Sequence, residues 1–434
     1  MIRAAIYFAL TLAAWAATAG PAAAMTLDDC VKTALEKNGG AIMAAKEREK
    51  AELAKTEALG RALPNLDVSG SYLRNITNPE VDFLGQKFKL MPDSTYQAQA
   101  SISQYLYSGA ISAGYSASKR YVEAAAGMET AWRRTLAAQV KTGFYAVLFA
   151  REVIKAENAA IAQLSALLAD AKNRLSAGMG TSFDVMRLET RLAEEIPRLM
   201  EAENAHTKAK LDLLNLMGMD PMGPAAFEGT LEREGQPGAI PSEEEAARLA
   251  LERRPELAAA RARVEAARHI ADAVKSEMYP TVRAFANYKV ANSIGITDAD
   301  KLFDQWNAGV SVEMNIMDGR ERSSRVSQRN TDAAIERIRL DDLERSIKIE
   351  ALTARGELAR AMELYKSQEK SAHTAQEAYR IATVSHQEGM LTQLELLDAQ
   401  MALTRAGINR LRSLFEYAAA EARFARAIGV VEDK

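Results

Sequence analysis

Cysteine and histidine are scarce in this chain of 434 residues, which contains one cysteine and four histidines. The single cysteine, Cys30, cannot form an intramolecular disulfide, so no disulfide framework is predicted. The histidines are scattered without the spacing of a zinc site such as HExxH. No glycine-rich phosphate loop or nucleophile elbow is present either. The sequence therefore predicts no enzyme, no cofactor and no metal site.

An excess of charge of one sign is also lacking. The formal net charge is −3, the pI is about 6.0, and acidic and basic residues are interspersed along the chain. Interspersed charges are typical of solvated helix faces and offer no basic surface to a polyanion. We therefore expect no nucleic-acid partner.

Long apolar runs are missing outside the N-terminus. Residues 1–24 combine a positive start at Arg3, an apolar stretch at 4–17 and an A-x-A-like site at 22–24, which is typical of a signal peptide. The apolar stretch is shorter than the about 20 residues of a transmembrane helix. We expect a mature chain that begins near Met25, and any membrane crossing by that chain must use strands.

The remaining chain repeats itself. Matched segments occur in the same order in both halves at a nearly constant offset: 34–38 with 250–254, 63–66 with 279–282, 107–109 with 317–319, Gly178 with Gly389, and Gly218 with Gly429. A loop at 74–95 that is longer than the loop at 291–305 explains the small drift of the offset. We predict a first repeat at 25–220, a linker at 221–241 and a second repeat at 242–434.

Each repeat is predicted to contain the same elements in the same order. Hydrophobic periodicity indicates a helix of about 35 residues, two strands joined by a loop, a helix of about 67 residues, a glycine turn and a helix of about 36 residues. The long helix would span roughly 100 Å. Heptad stripes along the long helices predict left-handed coiled-coil packing; they comprise Val140, Val147, Ile154, Ile161, Leu168 and Leu175, and Ala351, Leu358, Tyr365, Ala372, Tyr379 and His386.

The strands alternate apolar and polar residues. The apolar positions include Leu66, Val68, Gly70 and Tyr72, then Ala98, Ala100 and Ile102, then Val282, Ala284, Ala286 and Tyr288, and finally Ala308, Val310 and Val312. Strands of about 10–12 residues with aromatic residues at their ends fit a tilted transmembrane strand, although the alternation alone also fits a small soluble sheet. Four strands cannot close a barrel, so the subunit is expected to oligomerise as a dimer or trimer.

The order, spacing and duplication of these segments resemble the TolC-like outer membrane efflux protein family over the whole mature chain. The segments that carry the resemblance are 27–38, 63–66, 144–148, 176–179 and 387–390. The resemblance implies a mainly helical fold with transmembrane strands. In a homotrimer, twelve strands would form a barrel in outer-membrane lipid, continued across the periplasm by a barrel of long helical hairpins.

The function implied by the resemblance is that of an exit duct for efflux or type I secretion in a Gram-negative-type cell. The duct would work with a periplasmic adaptor protein and an inner-membrane transporter. In such systems the transporter mainly determines the exported substrate. The alternative that remains open is a periplasmic coiled-coil scaffold protein without a pore.

The resemblance also implies site residues. Acidic side chains after the hairpin turns face a narrowed pore in the family, and they correspond to Asp184, Glu395 and Asp398. Stacked carboxylate rings favour cations, while the alternative reading is that these acids stabilise helix N-termini. The residues that would dock the adaptor are Ala177, Gly178, Met179, Glu388, Gly389 and Met390.

The sequence departs from the family pattern at the expected gate. This chain has His386 and Leu391 where the family's tethering side chains would stand, so those particular tethers cannot be carried over. A histidine at this place would make gating dependent on pH. The alternative is that His386 is a packing residue of the heptad stripe.

Overall fold

The computed structural model describes residues 24–83, 85–89, 93–232, 239–292 and 302–430. The predicted signal peptide, except for its last residue, and residues 233–238 of the predicted linker lie outside the described residues.

Helices make up most of the described residues. In chain order they are α1 Leu27–Lys37, α2 Gly39–Gly60, α3 Gly109–Ser176, α4 Ser182–Leu216, α5 Glu243–Arg253, α6 Pro255–Ser276, α7 Glu321–Gln387 and α8 Gln393–Ala427. The strands are β1 Asn65–Arg74, β2 Glu80–Phe83, β3 Gln86–Lys89, β4 Ser94–Tyr107, β5 Thr281–Asn292 and β6 Leu302–Glu313. Helices of 68 and 67 residues confirm the expected long helices. The predicted loop at 74–95 is wrong in part, because β2 and β3 pair within it.

The first helix expected in each repeat is broken in two, so the prediction of one continuous helix is wrong. α1 ends before Asn38, whose backbone is extended with φ −64° and ψ 128°. The Asn38 Oδ1 atom accepts hydrogen bonds from the N–H groups of Gly40 (2.8 Å) and Ala41 (3.2 Å), which caps α2. α5 likewise ends before an extended Arg254, and Pro255 then occupies the first position of α6.

The chain forms two compact units, each assembled from separate stretches. We call them the hairpin unit, with the described parts of Met1–Ala45, Met128–Pro255 and Leu343–Lys434, and the sheet unit, with Lys46–Gly127 and Glu256–Asp342. Each unit takes residues from both predicted repeats. The division into tandem repeats itself stays a prediction.

The core of the hairpin unit is formed by α1 to α4 and α8 with the segment that follows α4. Its buried members include Cys30, Ala34, Ala41, Leu136, Val140, Phe144, Val147, Leu148, Leu213, Met217, Leu231 and Leu414. Burial raises the pKa of the Cys30 thiol to about 12, so the thiol stays protonated. Val140 and Val147 of the predicted stripe lie in this core, whereas Leu175 at the end of the stripe is exposed. The stripe is therefore most deeply buried far from the hairpin turn.

The sheet unit contains a four-stranded antiparallel sheet in the order β1-β4-β5-β6. Its register aligns the apolar positions of all four strands, with the partners Val68–Ala100, Ala100–Tyr288 and Tyr288–Trp306. One face is therefore apolar across the whole sheet. That face is exposed in the single chain, since Val68 is 77% and Trp306 72% exposed.

The opposite face is mainly polar but contains Phe285, which interrupts the predicted alternation. Phe285 lies opposite Gly309 in the register. A Cβ atom at Gly309 would lie 3.1 Å from the Phe285 ring, so the glycine leaves room for the aromatic side chain. The large apolar Phe285 on the polar face of β5 is therefore accommodated by the small Gly309 on β6.

Two glycines at matched positions allow a helix end to approach a helix break. Gly218 and Gly429 follow α4 and α8 with φ of +68° and +70°. A Cβ atom on Gly218 would lie 2.4 Å from the carbonyl oxygen of Lys37, and one on Gly429 would lie 2.9 Å from that of Arg253. Lys37 and Arg253 are the last residues of α1 and α5, so the same contact occurs once in each predicted repeat.

No helix of the described chain combines the length and the apolar character that crossing a membrane requires. The helix surfaces carry ion pairs between residues one turn apart, such as Arg48 with Glu52 (3.1 Å) and Lys208 with Asp212 (2.6 Å). Exposed pairs of this kind contribute about 0.3–0.5 kcal/mol each.

Gly218→Ala is expected to destabilise the protein by at least about 1–2 kcal/mol, because alanine resists a positive φ. The added Cβ would also meet the Lys37 carbonyl, and Gly429→Ala should behave alike. Thermal unfolding of the detergent-solubilised protein, followed by circular dichroism, measures the effect. Gly114→Ala is the control, since a Cβ there meets no atom within 4 Å inside α3. Equal melting temperatures for the Gly218 and Gly114 variants would contradict the glycine requirement.

Candidate functional site

The turns that join α3 to α4 and α7 to α8 have the same backbone geometry. Gly178 and Gly389 have φ of +74° and +76°. Each turn is closed by two backbone hydrogen bonds: from Gly178 to Leu175 (3.0 Å) and from Met179 to Arg174 (2.8 Å) in the first, and from Gly389 to His386 (3.1 Å) and from Met390 to Ser385 (2.8 Å) in the second. This is the pattern of a Schellman helix end, which satisfies the last carbonyl groups of the preceding helix.

The turn residues predicted to dock an adaptor are all exposed. They are Ala177, Gly178, Met179, Glu388, Gly389 and Met390. Met179 and Met390 follow the two glycines and are 78% and 69% exposed. Flexible thioether side chains suit adaptable protein contacts. The turns are therefore accessible, and their docking role stays a prediction.

Two of the three predicted pore acids cap the helices that follow the turns. Thr181 Oγ1 accepts from the Asp184 N–H at 3.2 Å and donates to Asp184 Oδ2 at 2.6 Å. Thr392 and Glu395 form a complete capping box, with the Glu395 N–H donating to Thr392 Oγ1 at 3.3 Å and the Thr392 N–H donating to Glu395 Oε2 at 2.8 Å. The alternative reading of these acids as helix-stabilising groups thus has direct support.

The capping box also fixes the ionisation of Glu395. The hydrogen bond from the Thr392 backbone N–H, and then that from the Thr392 hydroxyl, lower the pKa of the Glu395 carboxyl group. Both donors favour the carboxylate form. Glu395 is therefore a fixed negative charge at the first turn of α8 in neutral solution.

Asp398 stands one helical turn beyond Glu395. Leu396 and Leu397 between them are buried, at 1% and 2% exposed, whereas Glu395 and Asp398 are both exposed. The two carboxylates therefore share the outward side of α8. Asp184 is half-buried and belongs to α4, so the structure groups only two of the three predicted acids on one helix face.

A cleft of about 470 Å³ lies between the two turns of the hairpin unit. Its polar lining consists of Arg174, Thr181, Asp184, Arg187, His386, Thr392 and Gln393. Arg187 also lies over the Phe183 ring, 4.6 Å from its centroid. Within the described residues, the buried Nε2 atoms of His386 and Gln393 have no hydrogen-bond partner.

The predicted gate residues His386 and Leu391 contact each other. His386 Nδ1 lies 3.0 Å from the Leu391 carbonyl oxygen, and the side chain is buried. Because a carbonyl group only accepts, Nδ1 carries a proton in this geometry and donates it to the Leu391 carbonyl oxygen. The contact ties the last turn of α7 to the residue before the cap of α8, and a gating role stays a prediction.

Three polar side chains lie inside the helix packing and were not predicted from the sequence. Glu157 of α3 and Glu195 of α4 are 6% and 7% exposed. Gln400 of α8 is also buried and donates to Gln163 Oε1 of α3 at 3.4 Å. A signal was available, because Glu157 stands three residues after Ile154 and so occupies the second apolar position of the heptad.

No group of three or more histidine, cysteine, aspartate or glutamate side chains placed to hold a metal ion exists in the parts of the chain that the structure describes. The site thus consists of two exposed turns, the capped acids behind them and the cleft between them. Such an arrangement provides a binding surface and fixed charges.

Comparison with known proteins supports the resemblance. A family model described as outer membrane efflux protein matches residues 31–219 and 246–430. No protein with a curated description matches the sequence at a significant level.

The fold is similar to solved outer-membrane channels at low sequence identity. The outer-membrane channel OprN is 17% identical with a TM-score of 0.77, and the match covers 93% of this chain and 90% of OprN. The CmeC outer membrane channel of Campylobacter jejuni is 16% identical with a TM-score of 0.79, covering 93% and 85%. The MtrE outer membrane channel of Neisseria gonorrhoeae is 16% identical with a TM-score of 0.76, covering 94% and 90%.

The family model covers most of the chain and both of its halves. It confirms the expected fold class, the outer-membrane location and the function of an exit duct for efflux. The chain therefore belongs to the outer membrane efflux protein family.

Proposed function

We propose that three copies of this chain close into a channel through the outer membrane, which exports compounds together with a periplasmic adaptor protein and an inner-membrane transporter. The observation that supports the trimer is the sheet, since among the described residues no strand pairs with the outer edges of β1 and β6. Unpaired backbone groups cost several kcal/mol each in lipid, so the edges of neighbouring copies must pair. Three sheets of four strands then form one closed barrel of twelve.

The exposed apolar face of the sheet supports contact with lipid. Two aromatic pairs lie across neighbouring strands of this sheet, Tyr72 with Tyr96 at 5.1 Å and Tyr288 with Trp306 at 4.8 Å between ring centroids. Aromatic rings with polar tips suit the boundary between acyl chains and headgroups. In the proposed barrel, the polar face with Asn287 and Asn307 would line the lumen.

The hairpins provide the proposed periplasmic end of the duct. The exposed turns, 177–179 and 388–390, would meet the adaptor, and the outward carboxylates Glu395 and Asp398 would form stacked rings around a threefold axis. Asp184 lines the cleft between the turns, so it would act at the mouth beside these rings. The capping contacts of Glu395 are compatible with this role, because they lower the pKa of its carboxyl group and favour the carboxylate form.

The contact between His386 and Leu391 is the proposed gate element. It fixes the conformation of the second turn, and the neighbouring buried His386 Nε2 and Gln393 Nε2 atoms lack partners within the described chain. A buried unpaired polar group costs about 1–3 kcal/mol, and opening the turns would let water reach both atoms. The two unpaired nitrogen atoms would therefore lower the free energy needed to open the proposed gate.

The tandem-repeat organisation fits the same assembly. Two repeats per chain, 25–220 and 242–434, would place six similar helix hairpins around the axis of a trimer. The matched contacts of Gly218 with Lys37 and of Gly429 with Arg253 support this equivalence.

The full-length protein, added to a planar lipid bilayer, is expected to insert and to give discrete conductance steps that favour cations. Val68→Arg should reduce insertion, because an arginine facing lipid near the bilayer centre costs about 2–4 kcal/mol. Ser69→Arg is the matched control, since the next residue of β1 faces the opposite side of the sheet. A wild-type protein that never inserts would favour the periplasmic scaffold instead.

The double variant Glu395→Gln, Asp398→Asn is expected to move the reversal potential under a salt gradient towards zero, because it removes two carboxylates per chain from the proposed rings. Glutamine at position 395 preserves the capping box, so α8 should keep its start. The control is Glu47→Gln with Glu49→Gln, which removes two exposed carboxylates from α2. An unchanged reversal potential in the double variant would rule out the ring assignment.

His386→Ala is expected to lengthen open dwell times in single-channel recordings, because the Leu391 carbonyl loses its partner and a cavity forms beneath the second turn. Ser385→Ala is the matched control, since the backbone carbonyl of Ser385, not its side chain, closes the turn. If both variants show the same dwell times as the wild-type channel, the contact has no gating role.

A further inference from the structure

A carboxyl group occupies an apolar position of the long helix α3. The stripe three residues after the predicted heptad positions reads Gly143, Ala150, Glu157, Leu164 and Ala171. Ala150, Leu164 and Ala171 are buried at these positions, and Glu157 is buried to the same degree at 6% exposed. Glutamate is almost never this buried unless it has a partner.

The group that faces Glu157 is a second buried carboxyl group, Glu195 of α4, at 7% exposed. Oε2 of Glu157 and Oε2 of Glu195 have no hydrogen-bond partner within the described residues. Glu195 Oε1 accepts a hydrogen bond of 2.8 Å from Arg198 Nη1, and the Arg198 side chain is half exposed to solvent. Two acidic groups therefore share one cation.

The surrounding charges leave the pair one positive charge short. Burial raises the pKa of the Glu157 carboxyl group, the neighbouring Glu195 raises it further, and Arg198 acts in the opposite direction. α8 contacts α3 six residues further along, where the neutral Gln400 amide donates to Gln163 Oε1 and to Thr404 Oγ1. A proton on one carboxyl group would make it a donor to the other and give both a partner.

The helix opposite Glu157 is weakened at the same level. Pro197 lies inside α4, two residues after Glu195. Proline has no backbone N–H, so α4 lacks one of its internal hydrogen bonds there and bends more easily. A change of charge at the carboxyl pair therefore acts on a helix that bends easily near this position.

We propose that Glu157 and Glu195 form a proton-binding site that links the packing of α4 against α3 to pH. When the pair carries one proton, the two carboxyl groups form a hydrogen bond with each other, and α4 stays closely packed against α3. Once the proton is lost, two buried carboxylates repel each other beside a single half-exposed arginine, and α4 separates more readily from α3. The inference goes beyond the channel function and does not depend on it, because both helices belong to one chain.

The direction of the pH effect follows from the sign of the shift. A carboxyl group whose pKa is raised in the packed hairpin stabilises the packing fully below its ordinary value of 4.5. The release of one proton reduces the equilibrium constant for packing by up to about tenfold per pH unit. The stabilisation is therefore lost as the pH rises through the raised pKa.

Hydrogen exchange of the full-length protein, measured by mass spectrometry from about pH 4 to about pH 8 and corrected for the intrinsic exchange rate, tests the proposal. Wild-type amides in 188–202 are expected to lose protection by up to about tenfold per pH unit as the shared proton leaves. Glu157→Gln carries a permanent donor in place of the proton, so its protection should stay constant across the same range. Glu194→Gln is the matched control, because Glu194 is exposed beside Glu195 and should leave the wild-type slope unchanged.

A wild-type profile that is flat with pH, or a Glu157→Gln profile with the wild-type slope, would overturn the proposal. Should Glu157→Gln fail to fold, Glu195→Gln removes the like-charged neighbour and leaves Arg198 beside Glu157, so the total loss of protection between the same pH limits is expected to be smaller than in the wild type, because burial alone then raises the pKa of Glu157. A Glu195→Gln variant that loses as much protection as the wild type would overturn the proposal. Restoration of wild-type protection at high pH by added magnesium or calcium would also overturn it, since the pair would then be a cation site.

Discussion

The backbone N–H and C=O groups at the outer edges of β1 and β6 have no partner strand within the described part of a single chain. Within the helices the backbone groups of interior residues pair with one another, and β4 and β5 have a partner strand on both sides. β1 and β6 each have only one partner strand in the described chain. In lipid such edges are tolerated only if they meet other strands, which is why the proposed channel requires neighbouring copies of the chain. The exposure of the apolar face, which would be a liability in a lone protein, has the same explanation.

The backbone groups at helix ends in the hairpin unit also need hydrogen-bond partners, and the two halves of the chain provide them with different side chains at matched junctions. In the first half Asn38 caps α2 with its Oδ1 atom and donates from Nδ2 to the carbonyl of Leu216 at 2.8 Å. In the second half Arg134 of α3 donates to the carbonyl groups of Arg253 (3.1 Å) and Gly429 (3.2 Å). The junctions are equivalent in position and differ in chemistry, which explains why the duplication is visible in glycines and spacing more than in polar residues.

Much of this architecture could be predicted because it rests on periodicity. The long helices follow from the heptads, the apolar sheet face from the alternation of apolar and polar residues, and the two hairpin turns from Gly178 and Gly389. The helix break at Arg254 had a local signal in the following Pro255, and that at Asn38 had one in the two glycines that follow it. The β2–β3 hairpin was missed because each of its strands has only four residues, too few to establish an alternation.

The site was harder to predict than the fold, because residue type alone does not reveal hydrogen-bond partners. The family resemblance indicates Asp184 and Glu395 as pore acids. The structure shows in addition that each contacts a threonine at the N-terminus of its helix. Glu157 and Glu195 lie far apart in the sequence, so only the folded hairpin shows that they meet. A charge at a heptad position indicates a buried group, but it does not indicate the group that faces it.

The capping box of Glu395 has an evolutionary consequence. Its contacts require an acceptor at position 395 but not a charge, so glutamine fulfils the same hydrogen bonds as glutamate. Drift from a charged to an uncharged helix start is therefore a single conservative step. Lysine offers no acceptor, so a reversal of charge must pass through a chain whose α8 begins less stably. Within a lineage, the negative charge at this place is easier to lose than to invert.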